Sequence, residues 1–440
     1  MKQIVKLWLV LAVTMSVGLS FNAKVFAHQS VDEMAKQYVF LVLAVGEHDK
    51  GYVDAYYGPA FWRKTVKANQ WDKKTIMAKA KKLQKALPKV GSVNDKMDKL
   101  RVHYLDKQLT ALITHTDALA SKEASKKSGK PKYTFDEQSQ LLYDTQPPRN
   151  DLSGYDSALA DIEKLLPGDG PLYERVAAFK KRFEVPADKL GVVFDRALAE
   201  CRDRTKAFIE LLPIESFTIE YVKNKPWGGY NWYKGDAFSL IQVNTDFPTA
   251  ISRAVDLGCH EGYPGHHTYN ALLEHHLVKL RGWVEYSVYP LFSPQSLIAE
   301  GSANYGIQMA FPGDEKLKFE KEVLFPLAGL DPKTAEEYEQ YQKLASKLSF
   351  SRNEIARMYI NGDIDREEAI TLSQKYAMTT RARAEQSLSF VDTYGAYVIN
   401  YNWGRKIVQD YIEQAKTNEE RWELFYQLLS SPRIPSSLDM

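Results

Sequence analysis

With 58 Lys and Arg against 56 Asp and Glu over 440 residues, and 44% hydrophobic content, the chain has the composition of an ordinary soluble globular protein, long enough for a large core. The formal net charge is +2, and no stretch interleaves basic with aromatic residues. That excludes the electrostatic footprint of a nucleic-acid or membrane-surface binder, so neither partner is expected.

Residues 1 to 27 have the pattern of an export signal: Lys2 and Lys6, an apolar run from Leu7 to Leu19, then Val25-Phe26-Ala27 in the style that a signal peptidase cleaves. The mature chain is expected to begin at His28, in the periplasm or outside the cell. The apolar run is shorter than the roughly 18 to 20 residues of a spanning helix, and no cysteine follows it. No stable membrane insertion and no lipid anchor are therefore expected once the signal is removed.

Downstream, apolar residues at three- and four-residue spacing predict helices over 75–87, 93–120, 172–183, 187–212, 335–360 and 366–377. Pro186 precedes the fourth, and Asp365 with Glu368 makes a capping box for the last. The lysine-rich, apolar-poor stretch from Ser121 to Tyr133 predicts a solvated loop. The segment from Phe217 to Asn244 differs: "FTIEYV" and "AFSLIQVNT" predict strands, and the turn-rich "KNKPWGGYNWYKGD" between them predicts their connection. Two cysteines, Cys201 and Cys259, lack C-x-x-C spacing; they either pair or sit as small buried hydrophobes. The expected fold is mainly α, a large helical unit with a small sheet or hairpin next to the histidine-bearing helix. Its expected layout is a signal (1–27), an N-terminal helical part (28–212) and a histidine-bearing part (213–440), the latter two forming one compact unit.

Five of the nine histidines lie between His260 and His276, in "CHEGYPGHHTYNALLEHH". His275 and His276 neighbour no motif carboxylate and predict solvated side chains. His260, Glu261, His266 and His267 are different. A catalytic zinc site needs about three protein ligands, an open position for water and a carboxylate able to take that water's proton. In H-E-x-x-H both histidines share one helical face, but here the next candidate comes six or seven residues later. At about 100° per residue, six residues turn the side chain away, and seven add roughly 10 Å of rise. Convergence thus demands a bent backbone, which Pro264 and Gly265 supply. The spacing alone does not choose between His266 and His267. Laying Gly265-His266 on the glycine-histidine of H-E-x-G-H favours His266, with His267 behind the ligand or facing substrate.

The "HEGYPGHH" run resembles the H-E-x-x-P-G-H-H signature of the bacterial domain of unknown function 885 family, which is similar to the H-E-x-x-H zinc metallopeptidases with a downstream glutamate ligand. The resemblance covers most of the mature chain but is specific in few places. "LIAEGSANYGIQMA" is similar to the family's E-G-W-A-L-Y helix and implies Glu300 as third ligand, although Ser302 and Asn304 replace its tryptophan and leucine; a salt bridge is the plain alternative for Glu300. "NYNWGRKI" resembles a C-terminal segment of the family and places Tyr401, Gly404 and Ile407 on its pattern. Tyr401 is the candidate for stabilising an oxyanion, and Arg405 for anchoring a substrate carboxylate. "FSLIQVNTD" is similar to the strand before the metal helix, whose edge would pair with an extended peptide, with Asn244 and Thr245 as contacts.

The function expected from these residues is that of an exported zinc-dependent metallopeptidase acting on short peptides in dipeptidase or carboxypeptidase fashion. His260, His266 and Glu300 would hold Zn²⁺, and Glu261 would serve as general base. The alternatives are a zinc-dependent amidase or hydrolase of a non-peptide metabolite, and a metal- or ligand-binding protein without turnover.

Overall fold

The 3.6-residue apolar repeat produces helix over most of each span where it was found, as seen in a computed structural model that describes residues 30–128, 130–225, 227–246 and 248–440. The export signal read in residues 1 to 27 lies outside the described residues. Helices span Lys73–Ala86, Lys96–Ser128, Leu172–Lys181, Leu190–Lys206 and Arg366–Tyr376, and the fold is mainly α. The capping box forms: Glu368 N donates to Asp365 Oδ1 (2.9 Å) and Asp365 N to Glu368 Oε2 (3.0 Å). Among the described residues no helix is long and apolar enough to cross a membrane.

Four expectations about element boundaries are corrected. The helix expected to reach Leu212 stops at Lys206, where the chain turns through Phe208 and Ile209 toward Pro213, which disfavours helix in the residue before it. The helix expected over 335–360 is two, Ala335–Ser346 and Ser351–Asn361, because the Ser351 hydroxyl bonds the carbonyls of Leu348 and Tyr376 and fixes a turn between them. The lysine-rich stretch is helical to Ser128; Ala, Glu and Lys propagate a helix without needing burial. The presumed connector in the β segment contains a strand of its own.

Strand β1 (Val53–Tyr56) lies early in the chain, followed by β2 (Ser216–Val222), β3 (Gly229–Gly235), β4 (Phe238–Asn244) and the short β5 (Val288–Pro290). One sheet pairs β1 with β5 antiparallel; the other has the order β2-β4-β3, with β2 parallel and β3 antiparallel to β4. The aromatic residues of "YNWY" suit a pleated surface. A tight turn at Asp236 and Ala237, both at positive φ, joins β3 to β4. β4 is thus the central strand and β3 an edge.

Two apolar cores hold the helices, and each draws on both sides of residue 212. One joins Val31–His48 to His266–Leu273, Pro294–Ala310, Ile399–Ile412 and Asn418–Ser430. The other joins residues 158–201 to residues 251–263 and 319–388. Pro294–Ala310 and Ile399–Ile412 cross with backbones almost touching: a Cβ on Gly301 would lie 2.4 Å from Gly404 O. Of the two readings of the cysteines, pairing is the one observed, since a disulfide ties Cys201 on Leu190–Lys206 to Cys259.

That bond closes a long loop and anchors the residue before His260. Replacing both cysteines by alanine is expected to cost about 2–5 kcal/mol, read as a lower urea midpoint for the variant than for the oxidised parent.

Candidate metal centre

The helix Ser252–Leu257 widens into a π-helical turn, Gly258–Gly262, that carries His260 and Glu261. Such turns re-aim side chains and recur at functional sites. The chain then passes through Tyr263 and a cis Pro264, and a new helix begins at His266. Gly265 makes this return possible. Its N–H donates to Cys259 O at 3.0 Å, and a Cβ there would lie 1.9 Å from His260 O and 2.4 Å from Cys259 O. No other residue fits. The two helix ends therefore meet, and His266 Nε2 comes to 3.1 Å from His260 Nε2.

Glu300, on Pro294–Ala310, completes the group. Its Oε2 lies 3.3 Å from His260 Nε2 and 3.7 Å from His266 Nε2, and these ligand atoms all lie within 4.8 Å of one another. Tetrahedral zinc with bonds of roughly 2.0–2.1 Å sets its ligands about 3.3 Å apart, so the spacing suits an ion at the centre. Among the described residues Glu300 Oε2, although near both imidazoles, is also buried with no hydrogen-bond partner, a costly state that a cation would relieve. Two imidazoles and one carboxylate are a donor set that zinc favours.

Burial alone would raise the Glu300 carboxyl, but His266 and His260 beside it hold it well below the usual range. Burial would likewise lower His266, yet Glu300, with Glu261 and Asp54, holds it up at about 9.

Glu261 is buried beside the three donors, 4% exposed. Burial raises its carboxyl, partly offset by His260 and His266, which moves it toward the range useful to a general base. Strand β3 holds it in place: Asn231 Nδ2 donates to Glu261 O (2.7 Å), and a Cβ on Gly229 would lie 2.8 Å from Glu261 Oε1.

His267 points the other way, into the protein. Its Nδ1 accepts from Ser239 Oγ (2.8 Å) and its Nε2 donates to Glu215 (3.0 Å), so neither nitrogen is open to metal or substrate. Glu215 also accepts from Tyr263 and Arg202. Burial would raise Glu215, but these hydrogen bonds outweigh it and bring the carboxyl down to about 2. The pair expected to be solvated, His275 and His276, is half-buried at both positions, and His276 bonds the Tyr426 hydroxyl at 2.8 Å.

The three donors and Glu261 open into a cleft of about 1670 Å³. Tyr401 and Arg405 line it from Ile399–Ile412, Tyr401 being 40% exposed and Arg405 bonded to Gln308 (2.9 Å). Asn244 reaches the cleft, but its amide donates to Lys225 O and Trp227 O and so fixes a loop. The Thr245 hydroxyl bonds Val222 O (3.2 Å) and does not line the cleft. The expected peptide-pairing edge is also displaced: β4 is paired on both sides, whereas Gly229, Tyr230 and Asn231 of edge strand β3 face the cleft.

Two cleft residues went unnoticed in the sequence. Tyr397 donates to Glu300 Oε1 at 2.9 Å; the signal was its place four residues before Tyr401, one helical turn away. Asp54, from β1, accepts from the Tyr230 hydroxyl. Its carboxyl is pushed up to about 7 by burial, against the pull of His266, and nothing local in "YVDAYYG" marks it.

The sequence matches no family model and no curated protein. Among solved structures it is similar to a provisionally assigned lipoprotein from Colwellia psychrerythraea, with TM-score 0.49 and 16% identity over 93% of this chain and 75% of that one. A second such lipoprotein, of unknown function, from Shewanella oneidensis gives 0.46 and 13% over 94% and 79%. The protein named BsuCP gives 0.45 and 12% over 92% and 89%.

Elemental analysis of purified protein grown with zinc tests the centre. Zinc is expected in wild type and absent from His266→Ala and Gly265→Ala. His267→Ala is expected to keep its zinc while losing about 1–3 kcal/mol of stability, because Glu215 would lose a buried partner.

Proposed function

We propose that the chain is an exported zinc metallopeptidase of short peptides, akin to the domain of unknown function 885 family and to the H-E-x-x-H metallopeptidases. The observation that carries this reading is three donors at tetrahedral spacing with a buried glutamate next to them and an edge strand beside them. His260, His266 and Glu300 would hold the ion. Zinc there would supply a Lewis acid, polarising the scissile carbonyl and acidifying water.

The protein's own residues supply the rest. Glu261 takes the proton of the attacking water and passes it to the leaving amine. Tyr397 holds Glu300 through Oε1, leaving Oε2 turned to the histidines. Tyr401 donates to the oxygen that gains charge as the carbonyl is attacked. The free edge of β3 pairs with an extended peptide and aligns the scissile bond, and Arg405 meets a substrate carboxylate. Walls of helix around the cleft favour short peptides over folded proteins. The disulfide suits an oxidising compartment, in keeping with the signal read in residues 1 to 27.

Glu261→Gln is expected to lower kcat on a cleaved peptide by about 10²–10⁴-fold with zinc content unchanged. A protein that only binds metal or ligand would be indifferent to that change in every assay. Tyr401→Phe is expected to lower kcat about 10²-fold or more, the scale of a lost oxyanion donor, with KM nearly constant; equal loss in KM would assign Tyr401 to ground-state binding.

A further inference from the structure

Where Arg381–Tyr394 meets Ile399–Ile412, the cleft wall next to the metal centre is aromatic. Phe390 and Tyr394 lie four residues apart on the first helix, and Tyr397 and Tyr401 four apart across the start of the second, so each pair shares one helical face. All four line the cleft. Between the pairs the chain turns at Gly395, whose φ of 59° is one that side-chain-bearing residues rarely adopt, and a Cβ there would lie 2.4 Å from Gln138 Oε1. That same oxygen accepts from the Ala396 N–H at 3.2 Å and holds the corner.

The corner brings the two pairs together. Ring centroids lie 4.5 Å apart for Phe390 and Tyr394, 6.3 Å for Phe390 and Tyr397, 6.2 Å for Phe390 and Tyr401, 6.0 Å for Tyr394 and Tyr397, and 5.9 Å for Tyr397 and Tyr401. Their planes are inclined by 43° to 66°, away from the face-to-face sandwich that aromatic rings avoid. Buried Tyr143 and Phe292 back the group, against Tyr397 and Tyr394 respectively.

Two observations set this wall apart from the rim of an ordinary core. Tyr397 is buried and its hydroxyl holds Glu300 Oε1 at 2.9 Å, so the rings begin one side chain away from a metal donor, and Glu300 and Glu261 are the carboxylates whose charge bears on Tyr401. The other three rings are left partly uncovered: Tyr401 is exposed, Phe390 and Tyr394 half-buried. Among the described residues the hydroxyls of Tyr394 and Tyr401 have no hydrogen-bond partner. Aromatic surface left open beside a few convergent polar groups is the composition of a ligand pocket.

We propose that Phe390, Tyr394 and Tyr401 form a subsite for an aromatic side chain carried by one of the two residues that the scissile bond joins. The substrate class rests on the peptidase reading; the ring-binding wall does not. One residue of extended peptide spans about 3.3–3.6 Å, so a bond held at the metal puts its flanking residues, rather than distant ones, beside this wall. A further ring gains both the burial of its area and the inclined ring contacts, whereas an aliphatic side chain of the same size gains the area alone.

The test uses the zinc-loaded mature chain carrying Glu261→Gln, so that bound peptide persists. A short peptide with phenylalanine on both sides of its central bond is titrated by calorimetry beside twins that carry alanine or cyclohexylalanine there. The phenylalanine peptide is expected to bind about tenfold or more tightly than the alanine twin, roughly 1.4 kcal/mol, and more tightly than the cyclohexylalanine twin. The preference is expected to persist at high salt, which would screen an effect of charge. Adding Phe390→Ala and Tyr394→Ala should bring the phenylalanine and alanine twins together with zinc content unchanged, whereas Tyr394→Phe should keep most of the difference.

Phenylalanine and alanine twins that bind alike before any wall residue is changed overturn the subsite. A cyclohexylalanine twin that binds as tightly as the phenylalanine peptide overturns the aromatic assignment in favour of a general apolar pocket. Turnover by the protein with Glu261 intact is followed separately. Selective binding without cleavage of any twin would sink the peptidase reading and leave the ring site standing; equal binding with equal cleavage would do the reverse.

Discussion

The contact between Gly265 and the carbonyl of His260 is the constraint on which the site depends. A polypeptide can return upon itself this tightly only where no side chain intervenes, and the return replaces the single helical turn of the familiar zinc motif. Two helix ends, one widened by a π turn and one freshly begun, bring their imidazoles together across the gap. Pro264 helps to anchor the return by packing against Gly306 on the helix that carries Glu300: a Cβ at Gly306 would lie 2.9 Å from its Cγ. The insertion that lengthens the motif is therefore also the piece that docks it to its third donor.

Around that contact the site is pinned from several directions by different physics. The disulfide holds Cys259 to the helix behind. His267, Glu215 and Tyr263, with the half-exposed Arg202 at the rim, form a charged network under the second helix, high in cost if its buried members lose their partners. The glycine crossing at 301 and 404 lets Ile399–Ile412 come close enough for Tyr397 to reach Glu300. Strand β3 roofs Glu261. Preorganisation of this kind lets a donor set face a cation without rearranging when it arrives.

What the sequence disclosed follows from how local each feature is. His260, Glu261 and His266 lie within seven residues, and the need for a bend at Pro264-Gly265 follows from helix geometry alone. Glu300, 40 residues beyond His260, was reachable only through the resemblance of "LIAEGSANYGIQMA" to the family's helix. Strand order was not: β2 and β4 read clearly, but which of them sat centrally depended on β3, concealed among glycines and a proline. Asn244 and Thr245 were therefore assigned to an edge that belongs to another strand. His267 was legible as a histidine but not as the partner of Glu215, 52 residues away. Asp54 had no local signal, since tertiary packing alone brings β1 to the cleft.

The sharing of the first core has a bearing on the order in which the molecule can come into being. Val31–His48, Asn418–Ser430, Ile434 and Leu438 belong to one core, while Val31–His48 itself packs chiefly on Ala60–Asn69, Lys73–Ala86 and Lys96–Ser128. His103 bonds Ser436, and Asp144 accepts from the Ser436 N–H. A chain emerging from its N-terminus first can thus pair its opening helices with one another early, but the core they share stays incomplete until its C-terminal helix and tail are released. Such wiring delays native closure to the end of synthesis.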